Sequence, residues 1–283
     1  MQERGKRREV PTFVIVIIFF AGLSLMLYPG FSNWWNQQHQ TRAIAGYVKT
    51  TDNLPIDSKK LMWAEAEAYN KKLAEEPTGF ILTDEEQKEY EETLDVTGTG
   101  IMSYLEIPAI DVYIPIYHGV DDAILQIAIG HIAGSALPVG GKSTHCVISG
   151  HTGLPSAKLL SDLDKLKEGD HFMLKTLDET LTYAVDQIKV VLPTELDDIQ
   201  VVKGKDLCTM VTCTPYGVYT HRLLVRGKRV PNEKKEMRIA EEDALKIDYT
   251  PLYIGILGLV IVGWCVRELR RRHKARKKNR SVK

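Results

Sequence analysis

Residues 209–222 read TMVTCTPYGVYTHR. Just upstream, Leu207–Val211 is an apolar run broken only by a cysteine and a threonine, which suits a buried strand. The strand delivers Cys213, and Thr-Pro-Tyr-Gly then interrupts the pattern with turn residues. His221-Arg222 follow and lead into a second apolar run, Leu223-Leu224-Val225. If the two runs pair as a hairpin with a long loop, Cys213 and Arg222 face each other at its open end. A cation beside a thiol favours the thiolate. A guanidinium also offers a fixed fork of donors for a carbonyl or an oxyanion. A single cysteine is more often an inert part of a core, but one presented where a strand meets a Pro/Gly turn is placed for reaction.

Working outward, the neighbouring segments also read as short strands. Ile101–Ile107 and Val112–Tyr117 alternate apolar and polar residues around a Pro-containing turn. Thr144–Ser149 is a short buried-type strand that runs into Gly150-His151, and Phe172–Leu177 and Leu181–Val191 follow. Residues 122–128 fit one or two helical turns. Pro155–Lys167 places Leu159, Leu160, Leu163 and Leu166 on one face and predicts a helix. Many short strands with few helices argue for a closed β-barrel over a parallel α/β sheet. Ahead of the barrel, residues 58–75 predict an amphipathic helix with Leu61, Ala64, Ala68 and Leu73 as its apolar positions. Thr83-Asp84-Glu85-Glu86 reads as a capping box opening a second helix to about Leu94.

The ends of the chain are different in kind. Residues 11–28 and 249–266 carry no charge, and each is about long enough to cross a hydrocarbon layer of roughly 30 Å. A cleaved signal peptide is the alternative for the first, but its apolar core is long and no small-x-small site follows. Residues 1–10 carry a net +2, residues 267–283 a net +9, and the chain as a whole is formally neutral, which leaves −11 for the middle. Basic flanks stay in the cytoplasm. Both ends are therefore expected inside and the acidic middle outside. Beside a span, a basic tail is an orientation signal and an anionic-lipid contact, which argues against nucleic acid as its partner.

Cys213 needs a proton carrier, and eight histidines compete. His151 differs from the others because a Ser-Gly break before it and Thr-Gly after it present it at a strand end. The four cysteines, Cys146, Cys208, Cys213 and Cys265, show no ligand spacing for zinc and no dense disulfide pattern.

At these residues the sequence resembles class C sortases, the pilin-polymerising transpeptidases of Gram-positive bacteria. TMVTCTPYGVYTHRLLVRGKRV resembles their active-site region, SGHTGLPSAKLLSDLDKLKEGD their histidine segment, and GIMSYLEIPAIDVYIPIYHG the start of their barrel. The likeness covers roughly residues 60–230 and the two-span layout. It implies a mostly β fold, a closed eight-stranded barrel with short helices, an N-terminal helical segment and two flanking transmembrane helices. It further implies that Cys213 attacks the Thr–Gly bond of an LPXTG-like sorting signal to form a thioacyl enzyme. His151 would protonate the leaving amine, Arg222 would hold the oxyanion, and Thr212 would assist through its hydroxyl. The implied partners are LPXTG-bearing surface or pilin proteins and an amine acceptor, either a pilin lysine or a peptidoglycan precursor. No metal or organic cofactor is implied.

Three departures from the family pattern stand out. Met210 replaces a leucine, and Tyr219 stands where the family often has asparagine. The Asp-Pro-aromatic lid of many class C members is missing, and Glu76–Phe80 is its nearest counterpart. One consequence concerns Cys146 and Cys208, which lie five residues before His151 and Cys213 respectively. If the strands that carry them are parallel neighbours, as the likeness implies, equal offsets set the two thiols side by side.

The expected organisation is a cytoplasmic start (1–10), a transmembrane signal-anchor (11–30), and an extracellular helical stalk and lid region (31–98). The catalytic barrel (99–232), a linker (233–248), a second span (249–266) and a cytoplasmic basic tail (267–283) follow. Two other readings stay open at this point. One is a wall-anchoring sortase or a hydrolytic cysteine peptidase. The other is a non-catalytic surface assembly protein on the same barrel.

Overall fold

The computed structural model describes residues 12–75 and 79–232, with the single positions Gly255, Gly258 and Arg267. The expected cytoplasmic start, linker, second span and basic tail fall outside the described residues apart from those three positions.

Three helices lead into the barrel. Helix α1 is Thr12–Asn53, α2 is Ile56–Glu75 and α3 is Asp84–Glu92. The apolar opening of α1 is continuous with a polar second half, so the expected span and the start of the stalk are one helix. Val16–Asn53 contains the one stretch, among the described residues, that is long and apolar enough to cross a membrane. Helix α3 opens with the capping box read from the sequence. The Glu86 amide donates to Thr83 Oγ1 at 3.3 Å, and the Thr83 amide donates to Glu86 Oε2 at 2.8 Å. Such a cap is worth about 1 kcal/mol.

The apolar face of α2 is not the expected one. Its buried residues are Ala66, Tyr69, Asn70 and Leu73, while Leu61 is exposed. The reason is polar. Asn70 donates to the Leu137 carbonyl at 3.1 Å and accepts from the Leu137 amide at 2.7 Å. Those two bonds satisfy the Leu137 amide, add to the bond that its carbonyl accepts from the Val139 amide, and turn the helix so that Asn70 faces inward.

Eight strands close the barrel: β1 (Ile101–Ile107), β2 (Val112–His118), β3 (Ile129–His131), β4 (Thr144–Ser149), β5 (His171–Thr176), β6 (Glu179–Val191), β7 (Asp206–Thr214) and β8 (His221–Val230). The order around the wall is β1-β2-β3-β4-β7-β8-β6-β5. β2–β3 and β4–β7 are parallel and the other pairs are antiparallel. A four-residue helix α4, Asp122–Leu125, covers part of the 122–128 segment.

The interior is filled by alternate residues of each strand, among them Leu105, Ile116, Ile148, Leu174, Met210 and Val225, with Tyr69, Leu73 and Tyr90 of α2 and α3 joining the same core. Gly227 on β8 has a steric reason. A Cβ there would lie 2.5 Å from the Phe172 ring, which stacks on Tyr183 with centroids 5.5 Å apart.

Residues 155–167 are not a helix. Leu154 and Ala157 form an isolated bridge, Leu159 has φ +40°, and the one regular turn is the 3₁₀ segment Leu163–Lys165. Leu159, Leu160, Leu163 and Leu166 are all buried, as their spacing suggested. They point inward from turns, because Leu159 in the left-handed region interrupts a regular helical ladder.

Candidate active site

The register of β7 and β8 pairs Cys213 with Arg222, Val211 with Leu224 and Thr209 with Arg226. Alternation along β7 puts Thr209, Val211 and Cys213 on one face and Cys208, Met210 and Thr212 on the other. The second face belongs to the interior, since Cys208 and Met210 lie in the main core. The first belongs to a separate outer cluster of Val147, Val191, Ile199, Val211 and Leu224. Cys213 is half-buried at the rim of that apolar patch.

His151 reaches the same rim from β4. The parallel register of β4 and β7 runs from Thr144↔Asp206 to Ser149↔Val211, and the Gly150 amide donates to the Val211 carbonyl at 3.1 Å. Two further residues along each strand bring His151 level with Cys213. Gly150 makes this approach possible, because a Cβ there would lie 2.6 Å from Ile129 and 2.9 Å from Leu160. The segment after His151 folds back on itself, with the Leu160 amide donating to the His151 carbonyl at 3.3 Å. The β7–β8 loop closes against it. A Cβ on Gly153 would sit 2.4 Å from the Tyr216 ring and 2.7 Å from the Tyr219 hydroxyl. Tyr219 takes the left-handed region at φ +58°, a conformation that asparagine adopts more readily.

The guanidinium of Arg222 rests on its own loop, with Nη1 donating to the His221 carbonyl at 3.1 Å and the Tyr219 carbonyl at 3.4 Å. Its Nε and Nη2 have no hydrogen-bond partner among the described residues. Arg226, four residues further along β8 and paired with Thr209, is already committed to a bidentate pair with Asp186 at 3.0 and 3.1 Å. Arg229 lies over the Tyr183 ring at 5.7 Å. Thr212 is buried, and its hydroxyl has no partner among the described residues.

His118, His131 and His145, each on a barrel strand, are structural. His145 is buried between the Gln200 carbonyl (2.8 Å) and Thr209 Oγ1 (2.7 Å). His118 bonds the Gly100 and Thr93 carbonyls, and His131 contacts Tyr90, Ser135 and the Ala136 carbonyl. Burial pulls the imidazoles of His118 and His145 below their ordinary range.

Cys146 and Cys208 are direct register partners and both are free and fully inside the wall. Among the described residues no group of three or more His, Cys, Asp or Glu converges as a metal site would. Two further contacts bear on this rim, the first from the stretch read as the nearest counterpart of the lid. Phe80 packs against the outer apolar cluster, and the Gly79 carbonyl before it abuts Gly134, where a Cβ would lie 2.1 Å from it. Asn33 and Asn36 of α1 reach the segment that follows His151.

A closed eight-stranded barrel with a cysteine and an arginine paired at one rim and a histidine level with them defines a class of cysteine transpeptidases. Comparison with known proteins agrees. The sortase-domain family profile matches residues 105–230. Sortase C1 from Streptococcus agalactiae is 50% identical in sequence, with a TM-score of 0.67, over 68% of this chain and 100% of that one. Sortase C from Clostridium perfringens, solved with the C-terminal cell wall sorting motif, is 39% identical, with a TM-score of 0.60, over 68% of this chain and 99% of that one. The curated sortase A of Streptococcus agalactiae serotype III is 28% identical over 149 residues, which are 52% of this chain and 59% of that relative's length. The chain belongs to the sortase family, on its class C branch.

Proposed function

We propose that the protein is a membrane-anchored cysteine transpeptidase of the cell surface that cleaves an LPXTG-like sorting signal and joins it to an amine, a pilin lysine in pilus assembly. The observation that carries this reading is the pairing of Cys213 with Arg222 at the rim of an outer apolar patch, with His151 brought level by the parallel β4–β7 register.

In this mechanism the Cys213 Sγ attacks the threonine carbonyl carbon of the signal. Negative charge develops on the carbonyl oxygen, and the Nε and Nη2 donors of Arg222 stabilise it. Collapse breaks the C–N bond while His151 donates a proton to the departing glycine amine, leaving a thioacyl enzyme. An incoming amine then attacks the thioester carbonyl and His151 takes its proton, and the C–S bond breaks to release the amide product and restore the Cys213 thiolate. The apolar floor of Val147, Val191, Ile199, Val211 and Leu224 suits the apolar part of the signal. Thr212, the neighbour of Cys213 on β7, has its buried hydroxyl on the inner face, so its assistance reaches the substrate through the strand that positions Cys213. No step calls for a metal or an organic cofactor.

Anchoring is supported by the N-terminal apolar helix. The charge asymmetry supports a catalytic domain outside the cell, both termini in the cytoplasm and a second span at 249–266. Incubation of the full-length protein in detergent with an LPXTG peptide and a purified pilin tests the reading. The expected products are a cleaved peptide and a mass-shifted pilin carrying the LPXT acyl group on a lysine. Cleavage with transfer to water alone would make the protein a hydrolase. No cleavage would remove the transpeptidase reading.

A further inference from the structure

The segment that carries His151 is held by the membrane-proximal helix. Asn33 and Asn36 lie on the barrel-facing side of α1. Asn33 Oδ1 accepts from the Lys158 amide at 2.7 Å, and Asn36 Nδ2 donates to the Ser156 carbonyl at 2.7 Å. One helical turn further, Gln40 Nε2 donates to the Ile127 carbonyl at 2.6 Å. The opposite side of the same stretch is apolar. Phe31 and Trp35 are 57% and 52% exposed and stack at 6.3 Å. Large aromatics just beyond an apolar run are the residues that settle at a bilayer surface.

Two physical facts give these asparagines work to do. Residues 155–162 lack a helical ladder, so the Ser156 carbonyl and the Lys158 amide need partners from elsewhere. The same segment returns to the catalytic histidine through the Leu160-to-His151 backbone bond, so the position of 156–158 bears on where His151 stands. Asn33 lies five residues past Tyr28, the end of the apolar stretch 11–28, or about 8 Å of helical rise.

We infer that Asn33 and Asn36 are positioning residues that tie the His151 segment to the anchor helix and so fix the catalytic rim beside the bilayer surface. The inference rests on the sortase reading above. It assigns these residues no contact with substrate. They act through the backbone of 156–158 on the placement of the imidazole.

The chemistry of the two bonds makes the test specific. Asn33→Asp keeps an acceptor oxygen for the Lys158 amide. Asn36→Asp loses the donor and sets a carboxylate against the Ser156 carbonyl. The helix stays docked in both variants, because Tyr47 further along donates to the Met102 carbonyl at 3.0 Å and accepts from the Leu177 amide at 2.8 Å.

The full-length protein and its variants would be reconstituted in phosphatidylglycerol/phosphatidylcholine vesicles and assayed with an LPXTG peptide. Amide hydrogen exchange at Lys158 would be followed in parallel. The N33A/N36A double variant is expected to lose about tenfold in kcat with KM for the peptide unchanged, and its Lys158 amide is expected to exchange faster. N33D restores kcat and protection relative to N33A, whereas N36D behaves like N36A. Wild-type kcat in the double variant overturns the inference, whether or not exchange changes. Equal impairment of N33A and N33D overturns it as well. If the wild-type protein itself leaves the peptide intact, the failure belongs to the sortase reading, and Lys158 exchange still reports whether the tether exists.

Discussion

The two faces of β7 use similar residues for opposite purposes. Cys208 and Cys213 stand five positions apart on one strand, so they fall on opposite sides of the barrel wall. Cys208 faces inward and is sealed beside Cys146, Met210 and Tyr183. Cys213 faces outward at the rim, with Arg222 across the hairpin. Burial lifts the Cys208 thiol well above its usual range, which keeps it protonated and inert. The difference between a core thiol and a candidate nucleophile therefore comes from strand alternation and from where the strand ends.

The sharpest way to break this comparison is to exchange the fates of the two faces. Cys213→Ala is expected to lower LPXTG cleavage by at least about 10³-fold while leaving the thermal midpoint near wild type, measured by peptide turnover and calorimetry. Met210→Ala, on the inner face, is expected to do the reverse. It should cost about 2–5 kcal/mol of stability in denaturant unfolding and leave kcat of the folded fraction close to wild type. If Met210→Ala abolished turnover without loss of stability, the separation of faces would be wrong.

Arg222→Lys keeps the positive charge but loses the planar fork. Turnover is expected to fall by about 10²-fold with little change in stability.

A smaller effect comes from the structural histidines. Burial lowers the folded-state value of His145 and His118 from the ordinary 6.5. The unfolded chain then binds more protons in the window below that value. Stability is fully present above about pH 6.5 and is lost as pH falls through the depressed folded values. Thermal melts from pH 7.5 to 5 should show this decline, and a His145→Gln variant should show less of it.

The barrel was legible because its strands are short and regularly patterned, and because the hairpin around Cys213 carries turn residues at fixed offsets. Ile101–Ile107 and Thr144–Ser149 have the boundaries expected from pattern alone. The equal offsets of the cysteine pair were legible too, since parallel pairing preserves sequence spacing. Three features were not. The inward face of α2 is set by Asn70, a polar residue that hydrophobic periodicity cannot weigh. The leucines of 155–167 have helical spacing but are carried by turns. The contacts of Asn33 and Asn36 span 125 and 120 residues of chain, and nothing local in either segment announces them.

The claim on which the account turns is that the outward thiol of β7 takes up the substrate. Full-length protein mixed with an LPXTG peptide and quenched in acid can be digested and read by peptide mass mapping. The account predicts an added mass equal to the LPXT acyl group on the peptide that contains Cys213, discharged when a pilin lysine or another amine is supplied, and no such mass on the peptides with Cys146 or Cys208. An unmodified Cys213 under conditions where the peptide is cleaved, or an acyl group on either inner cysteine, would contradict it.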